Sequence, residues 1–527
     1  MRKDLFKIRL LSLTALCGIA IALASCSSEE NVQGGNKGSE NGEDKNLTAF
    51  MAGAPESRTS MDYTTGDFFW EAGDKIYVKD DDGYWRASSN APTAKTASFK
   101  FKVPGKFAAQ TSYKVYYSGK NGNRNEVRIQ ASQKQGIPNT TTHFGESGDC
   151  GTATATKATD KAQFEFTLDH QAAYLVFQPY TSNAILKNCY LTKIEVNSDN
   201  DIAGNYTLDL NTGELTGTTY DKQIVLWTSD KYDSSKKGFT LTNTAASLAT
   251  NGAYMVIKPG THALKIRYWV KDYATNVEGT ITKTFSAFNY VKNTYYDMTA
   301  LLDARDYDGD HYYQWDAQDQ YWKGYEWNKG GDQPTLTEGA PGATTSENYP
   351  RWKPFTSDSR LAHQGTSQAT QSCANVPNAN EISWYLQKGD HHIDKDEVWT
   401  TMGHLYKGGM WLLKRSKISG FRNDLDAFGN DQRANGTNQG LPGGVNLTPL
   451  EPATAGNYFF LPFLGYYDGN KLRYAGEMGF YWTANANMIV SGNACGLSFS
   501  ATQVIMTNGN VRSAGFRAQP FSYFGDN

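Results

Sequence analysis

Residues 391–397 read His-His-Ile-Asp-Lys-Asp-Glu, which places two imidazoles and three carboxylates within seven positions. These are the groups that a divalent metal or a general base needs: imidazole nitrogen and carboxylate oxygen as ligands, or a histidine poised beside an acid. A metal centre also needs a ligand from elsewhere in the chain, and no spaced third ligand stands out. The cluster is therefore either a surface enzyme's site, using His391, His392, Asp394, Asp396 and Glu397, or a solvated turn. A second acidic run, Asp306-Tyr307-Asp308-Gly309-Asp310, hints at a calcium loop, but Gly309 comes early and no glutamate stands at the twelfth position. His143, His170 and His262 are isolated, and a lone histidine on a strand is ordinarily structural. No GxSxG, HExxH or phosphate-loop pattern occurs. We assign no catalytic residue, no metal and no cofactor.

The segment before the cluster has to position it. Asn378 can cap a helix, Glu381 can reach back three residues as in a capping box, and Ile382, Tyr385 and Leu386 share one face. Gly389 ends the run, so the spacing predicts a helix from Asn378 with the histidines and acids in the loop after it. Trp384 and Trp411 are expected in the core. Trp399, Tyr406, Tyr466 and Tyr467 lie near glycine-rich turns and are candidates for an exposed platform that stacks on a sugar or protein ligand.

The chain opens with a basic stretch (Arg2, Lys3, Lys7, Arg9) and an apolar run from Leu10 to Ala24, too short for a stable membrane span. Residues 27–46 hold no aliphatic side chain except Val32 and read as a disordered tether. The formal charge of −3, with 51 basic and 54 acidic residues mixed, gives no footprint for nucleic acid. Beyond Cys17 and Cys26 four cysteines remain, without zinc-ribbon spacing. An oxidising compartment permits bridges, and Cys150 with Cys189 and Cys373 with Cys495 are the candidate pairs.

Period-2 alternation recurs from about 47 to 300 and no long amphipathic helix interrupts it, which predicts antiparallel sandwiches. Leu264, Ile266, Tyr268 and Val270 alternate with Lys265, Arg267 and Lys271; Phe164, Phe166 and Leu168 alternate with polar residues; Tyr206, Leu208 and Leu210 precede an Asn-Thr-Gly turn. After residue 303 the composition changes: 8 of the 12 tryptophans and 5 of the 8 histidines lie there, which marks a different kind of domain.

Leu23-Ala24-Ser25-Cys26 resembles the lipobox of bacterial lipoproteins. The resemblance implies removal of residues 1–25 and acylation of Cys26, for instance with palmitate. Glu29 and Glu30 resemble the export signal that sends Bacteroidetes lipoproteins to the outer face of the outer membrane. Trp70, Gly73, Asp74, Ile76 and Val78 in "FFWEAGDKIYVK", followed by "LDHQAAYLVFQPY" and "NYTLDLNTGEL", resemble the fimbrillin-like (Mfa-like) family in order and spacing. That family implies two transthyretin-like β-sandwiches, and assembly by β-strand addition after a protease cuts behind a basic residue. Here residues 46–53 are the candidate first strand, and Arg58 is either the cut site or an ordinary loop residue. "LPFLGYYDG", Phe480-Tyr481-Trp482-Thr483 and Asn510-Val511-Arg512 are similar to the FISUMP (major paralogous) domain, which lies in the C-type-lectin-like neighbourhood.

The expected fold is thus mainly β: a leader (1–25), a tether (26–46), two sandwiches (47–160 and 161–303), a junction (304–372) and an α+β lectin-like domain (373–527). The chain ends shortly after the last expected strand, which leaves no donor segment and points to a fimbrial tip subunit or tip-like adhesin. The expected partners are neighbouring subunits, a surface glycan or protein ligand, and outer-membrane lipid. The rival readings are a surface glycan-binding lipoprotein outside any pilus, and the enzyme considered above.

Overall fold

The computed structural model describes residues 7–10, 47–53, 60–61, 68–209, 211–329, 359–363, 367–435, 438–441, 444–450, 454–469 and 471–527. Cys26, the tether, Arg58 and most of the 304–372 junction beyond residue 329 lie outside them. The fold is mainly β. It divides into two compact units, one made of residues up to 180, 192–266 and 283–301, the other of 181–191, 267–282 and 302–527.

In the first unit, eight strands form one sheet, seven in the order Trp85–Ala87, Tyr77–Lys79, Ser112–Tyr117, Gly151–Lys157, Gln163–Phe166, Leu47–Ala52, Phe99–Pro104, and Asp169–His170 pairs with Gly151–Lys157 beside them. The sheet curls until its two ends meet. Ser89 N–H donates to the Lys102 carbonyl at 2.8 Å, and the Asn90 side chain donates to the Lys100 carbonyl (2.9 Å) and accepts from Lys102 N–H (2.7 Å). One face of each strand fills the interior with Phe50, Trp70, Ile76, Val78, Phe101, Val103, Val115, Tyr117, Phe164 and Phe166.

The Trp-Gly-Asp motif is the hinge of this core. Trp70 is fully buried with its ring 4.9 Å from Phe101 and 5.7 Å from Tyr117. Gly73 turns the chain at φ +87°, a conformation that a side chain would strain. The buried Asp74 carboxylate then accepts from Glu71 N–H (2.7 Å) and Tyr117 O–H (3.0 Å), which satisfies a charge that would otherwise be costly to bury. The strand that follows, Tyr77–Lys79, pairs with Ser112–Tyr117.

A second sheet of this unit runs Thr294–Leu301, Ala173–Tyr180, Ala253–Ile257, with Lys7–Leu10, a segment of the expected leader, on the outer side of Thr294–Leu301. Leu264 and Ile266 within the long strand Gly260–Asp272 face inward, as their alternation predicts, and Tyr206 and Leu208 do the same in Ala203–Leu208. Asp149, Tyr174 and His170 form a buried knot: the Tyr174 hydroxyl donates to Asp149 Oδ1 at 2.6 Å, and His170 Nδ1 lies 3.0 Å from the same oxygen. His170 is structural, in keeping with its isolation in sequence.

In the second unit, the helix Ala379–Lys388 forms with both halves of its capping box in place. Its Tyr385 packs on Phe421 (5.2 Å), Phe521 (5.4 Å) and Phe459 (5.7 Å), and its hydroxyl donates to Asp526. Asp526 also accepts from Arg415 N–H (2.7 Å) and Arg415 Nε–H (2.9 Å), which binds the last residues of the chain to the helix. Two sheets surround it. One runs Arg305–Tyr307, His392–Thr401, His404–Leu413, Tyr458–Pro462; the other is six-stranded, with Met478–Ala486, Asn493–Ser500 and Val504–Val511 at its centre. The Phe480–Thr483 and Asn510–Val511 segments of the FISUMP-like pattern are parts of these central strands.

Candidate functional site: the first strand and its neighbours

Leu47–Ala52 lies inside its sheet. It runs parallel to Gln163–Phe166 (Ala49 opposite Gln163) and antiparallel to Phe99–Pro104 (Phe50 opposite Phe101). Phe50 and Ala52 point inward and are fully buried, whereas Met51 is half-buried. The Phe50 ring stacks on Phe164 at 5.1 Å and meets Phe107 edge-on at 5.1 Å. The strand is apolar on both faces apart from Thr48, and its pairing on both edges buries the face that carries Phe50 and Ala52. Without the strand, Phe101, Phe164 and Phe166 would line an open groove with unpaired backbone on both walls. Such a groove recognises a strand that brings a large apolar side chain inward at the Phe50 position and a small one two residues on.

The histidine and acid cluster is spread along a strand. Residues 392–401 are a strand, not the loop that the helix end predicts, because the chain turns at Gly389 and Asp390 (φ +41°) and pairs at once with His404–Leu413. Each polar group then has its own partner. His391 Nε2 accepts from Asn446 N–H at 3.0 Å, and burial lowers its pKa. His392 Nδ1 lies 2.8 Å from the Thr448 carbonyl. Asp394 Oδ1 accepts from the backbone N–H of Asp396 (3.0 Å) and Glu397 (3.1 Å), where the pairing register shifts. Asp396 lies 3.4 Å from Arg267 and 3.6 Å from Lys407. Among the described residues no three such side chains converge as metal ligands.

The acids of the calcium-like run also diverge. Asp306 accepts from the Thr400 hydroxyl at 2.8 Å. Asp308 is held by the fully buried Arg517 guanidinium at 2.9 Å, by His311 at 2.7 Å and by Gln519 Nε2–H at 3.0 Å. Burial opposes its charge, but His311 and Arg517 outweigh burial and keep the carboxyl far below the usual range. Asp310, beside Asp308 and Glu326, is instead pushed up by burial and by those neighbouring charges. Arg517, the central cation of this network, carried no sequence signal, because its partner lies 209 residues away.

The expected aromatic platform is corrected. Trp399, Tyr406 and Tyr467 are core residues, respectively 1%, 6% and 1% exposed. Trp399 and Tyr406 sit opposite each other in the same strand pair with rings stacked at 5.0 Å, and Tyr467 stacks on Tyr321 at 5.5 Å. Nearby glycines suggested exposure, but Gly408 (φ +86°) is there to let the Phe463 ring close over the backbone. Tyr466 is half-buried against Phe480 (4.6 Å) and Phe516 (5.3 Å). Three consecutive exposed apolar residues lie elsewhere, on the hairpin loop Met488, Ile489 and Val490 (57%, 88% and 48% exposed). Asn487 Oδ1 fixes that loop by accepting from Ile489 N–H (2.8 Å) and Val490 N–H (3.0 Å).

The disulfide expectation is corrected as well. Cys150, Cys189, Cys373 and Cys495 are free thiols, all buried. Burial raises the pKa of each, to about 12 for Cys189, Cys373 and Cys495, so they behave as small core residues. Cys373 accepts from Asp316 N–H at 3.3 Å, and Cys495 faces the Ala486 carbonyl.

No protein-family model matches the sequence, and no curated protein does. Solved structures do align with about half of the chain. One is a candidate cell adhesion protein of Bacteroides ovatus (13% identity, 48% of this chain and 92% of that one, TM-score 0.28). Another is the fimbrial anchor protein Mfa2 of Porphyromonas gingivalis (13% identity, 46% and 83%, TM-score 0.22). A third is a fimbrial assembly protein of Parabacteroides distasonis (13% identity, 49% and 91%, TM-score 0.24).

Proposed function

We propose that this chain is a cell-surface adhesion subunit of a fimbrium, at its tip or in a tip-like role, that joins its neighbour by β-strand addition. The observation that carries the proposal is the interior position of Leu47–Ala52, followed within a few residues by Arg58. A cut behind Arg58 frees this strand at its C-terminal end. The groove it leaves is flanked by Gln163–Phe166 and Phe99–Pro104, and a neighbour's strand of the same pattern fills it. In this reading Cys26 carries the lipid that holds the precursor at the outer membrane, and the second unit is the lectin-like domain that meets the ligand. The adhesive contact falls to the exposed Met488–Val490 loop, because the four aromatics first considered for it are turned inward or half-buried.

Met51 and Lys100 are paired across the antiparallel edge with outward side chains, so a cysteine pair there can pin the strand. The double variant Met51→Cys/Lys100→Cys, oxidised, is expected to fold but not to enter filaments, and reduction is expected to restore entry. Incorporation of the oxidised form at the wild-type level would refute strand exchange.

A further inference from the structure

The sheet that contains Ala173–Tyr180 ends, among the described residues, on Ala253–Ile257. This strand is uncharged and apolar throughout, the composition most prone to pair with another chain when left as an open edge. The backbone groups that point away from Ala173–Tyr180 belong to alternate residues, Gly252, Tyr254 and Val256. Side chains from 133–143 take them one after another. Gln133 donates from Nε2 to the Val256 carbonyl at 2.7 Å and accepts from Val256 N–H at 2.9 Å. Gln135 donates to the Gly252 carbonyl at 3.0 Å and accepts from Tyr254 N–H at 2.8 Å. His143 Nε2 lies 2.9 Å from the Tyr254 carbonyl, and Asn139 N–H donates to Gly252 at 2.9 Å.

The backbone of this segment is engaged elsewhere: Ser132–Lys134 pairs in parallel with Gln223–Trp227, and Gln135 N–H continues to Trp227 O. Two glutamines spaced by two therefore match two strand residues spaced by two, and each amide reproduces the donor and acceptor of a peptide bond. Gln133, Gln135 and His143 are buried, so the substitution for a strand is made away from water, where an unmade backbone bond is costly.

We propose that Gln133 and Gln135, with His143, act as a side-chain strand that closes this edge against backbone pairing with a second copy of the chain. A second copy is the excluded occupant because Ala253–Ile257 carries no charge and can lie antiparallel to itself across a two-fold axis without repulsion. This inference stands apart from the fimbrial reading and survives its failure.

Amide hydrogen exchange on the wild-type protein tests it first. Tyr254 and Val256 N–H are expected to be as protected as Met255 N–H, although among the described residues no strand faces them; exchange at the rate of an open edge would overturn the proposal. The variant Gln133→Ala/Gln135→Ala is then expected to lose protection at those two amides and to shift towards dimer in sedimentation velocity as concentration rises. Adding Val256→Pro removes the N–H that a second copy would use, and is expected to return the protein to wild-type sedimentation. A folded double variant that sediments as wild type at every concentration, or a dimer that survives Val256→Pro, would overturn it. Should the double variant fail to fold, Gln135→Ala alone decides by the same two readouts.

Discussion

Replacing Phe50 by alanine probes the first strand most sharply. Its side chain is fully buried between Phe164, Phe107 and Tyr113. An aromatic ring of this kind buries about 150–250 Å², which at about 25 cal/mol/Å² corresponds to roughly 4–6 kcal/mol before correction. A denatured chain that already hides some of that surface lowers the figure by about 10–40%, to roughly 2–5 kcal/mol. The cavity left behind adds to it, so the expected loss is about 3–5 kcal/mol. Met51, the next residue, faces outward and half-exposed, and its truncation should cost well under half as much. The assay is urea unfolding of the two variants, followed in the fluorescence of Trp70, which lies in the same core. The transition of the first unit should move strongly for Phe50→Ala and weakly for Met51→Ala. Equal shifts, or a Phe50→Ala loss below about 1 kcal/mol, would mean that the strand does not hold the inward register described above.

Arg517→Met leaves the half-buried Asp308 without its guanidinium, so a loss of about 1.5–3 kcal/mol is expected in denaturant unfolding; an unchanged midpoint would contradict the ion-pair network. Burial lowers the pKa of His143 to about 4 although the Tyr254 carbonyl raises it. The unfolded chain binds this proton near pH 6.5. The contribution is therefore whole above about pH 6.5 and is lost as pH falls towards about 4, a drop of roughly 3 kcal/mol. His143→Gln should flatten that part of the stability–pH curve, and an unchanged acid slope would count against it. Ile489→Asp sits on an exposed loop and should change stability by no more than about 0.5 kcal/mol, while reducing attachment of cells that display the protein. Full attachment would remove the loop from the adhesive surface.

What could be read from the sequence was what is local. Alternation placed Leu264, Ile266, Phe164, Phe166, Tyr206 and Leu208 on inward faces, and the Asn378–Glu381 capping box marked the start of the helix, because both depend on residues a few positions apart. What escaped was set by distant pairing. Trp399 and Tyr406 read as exposed beside their glycines, yet face each other across a strand pair whose other neighbours come from residues 305–307 and 458–462. The histidine and acid cluster became a strand for the same reason. Even spacing could not say whether the cysteines meet, and packing keeps each as a thiol in its own part of the core. Gln133 and Gln135 give no signal at all until the edge at Tyr254 and Val256, more than a hundred residues on, is in place.

A filament subunit and a scattered surface protein differ in where they sit on the cell. Immunogold electron microscopy of intact cells, with antibody raised against the second unit, examines that directly. Gold is expected at the ends of fimbriae, and is expected to be lost when the first strand is pinned by the oxidised Met51→Cys/Lys100→Cys pair. Gold spread evenly over the envelope, unaffected by the pin, would contradict a place in the filament.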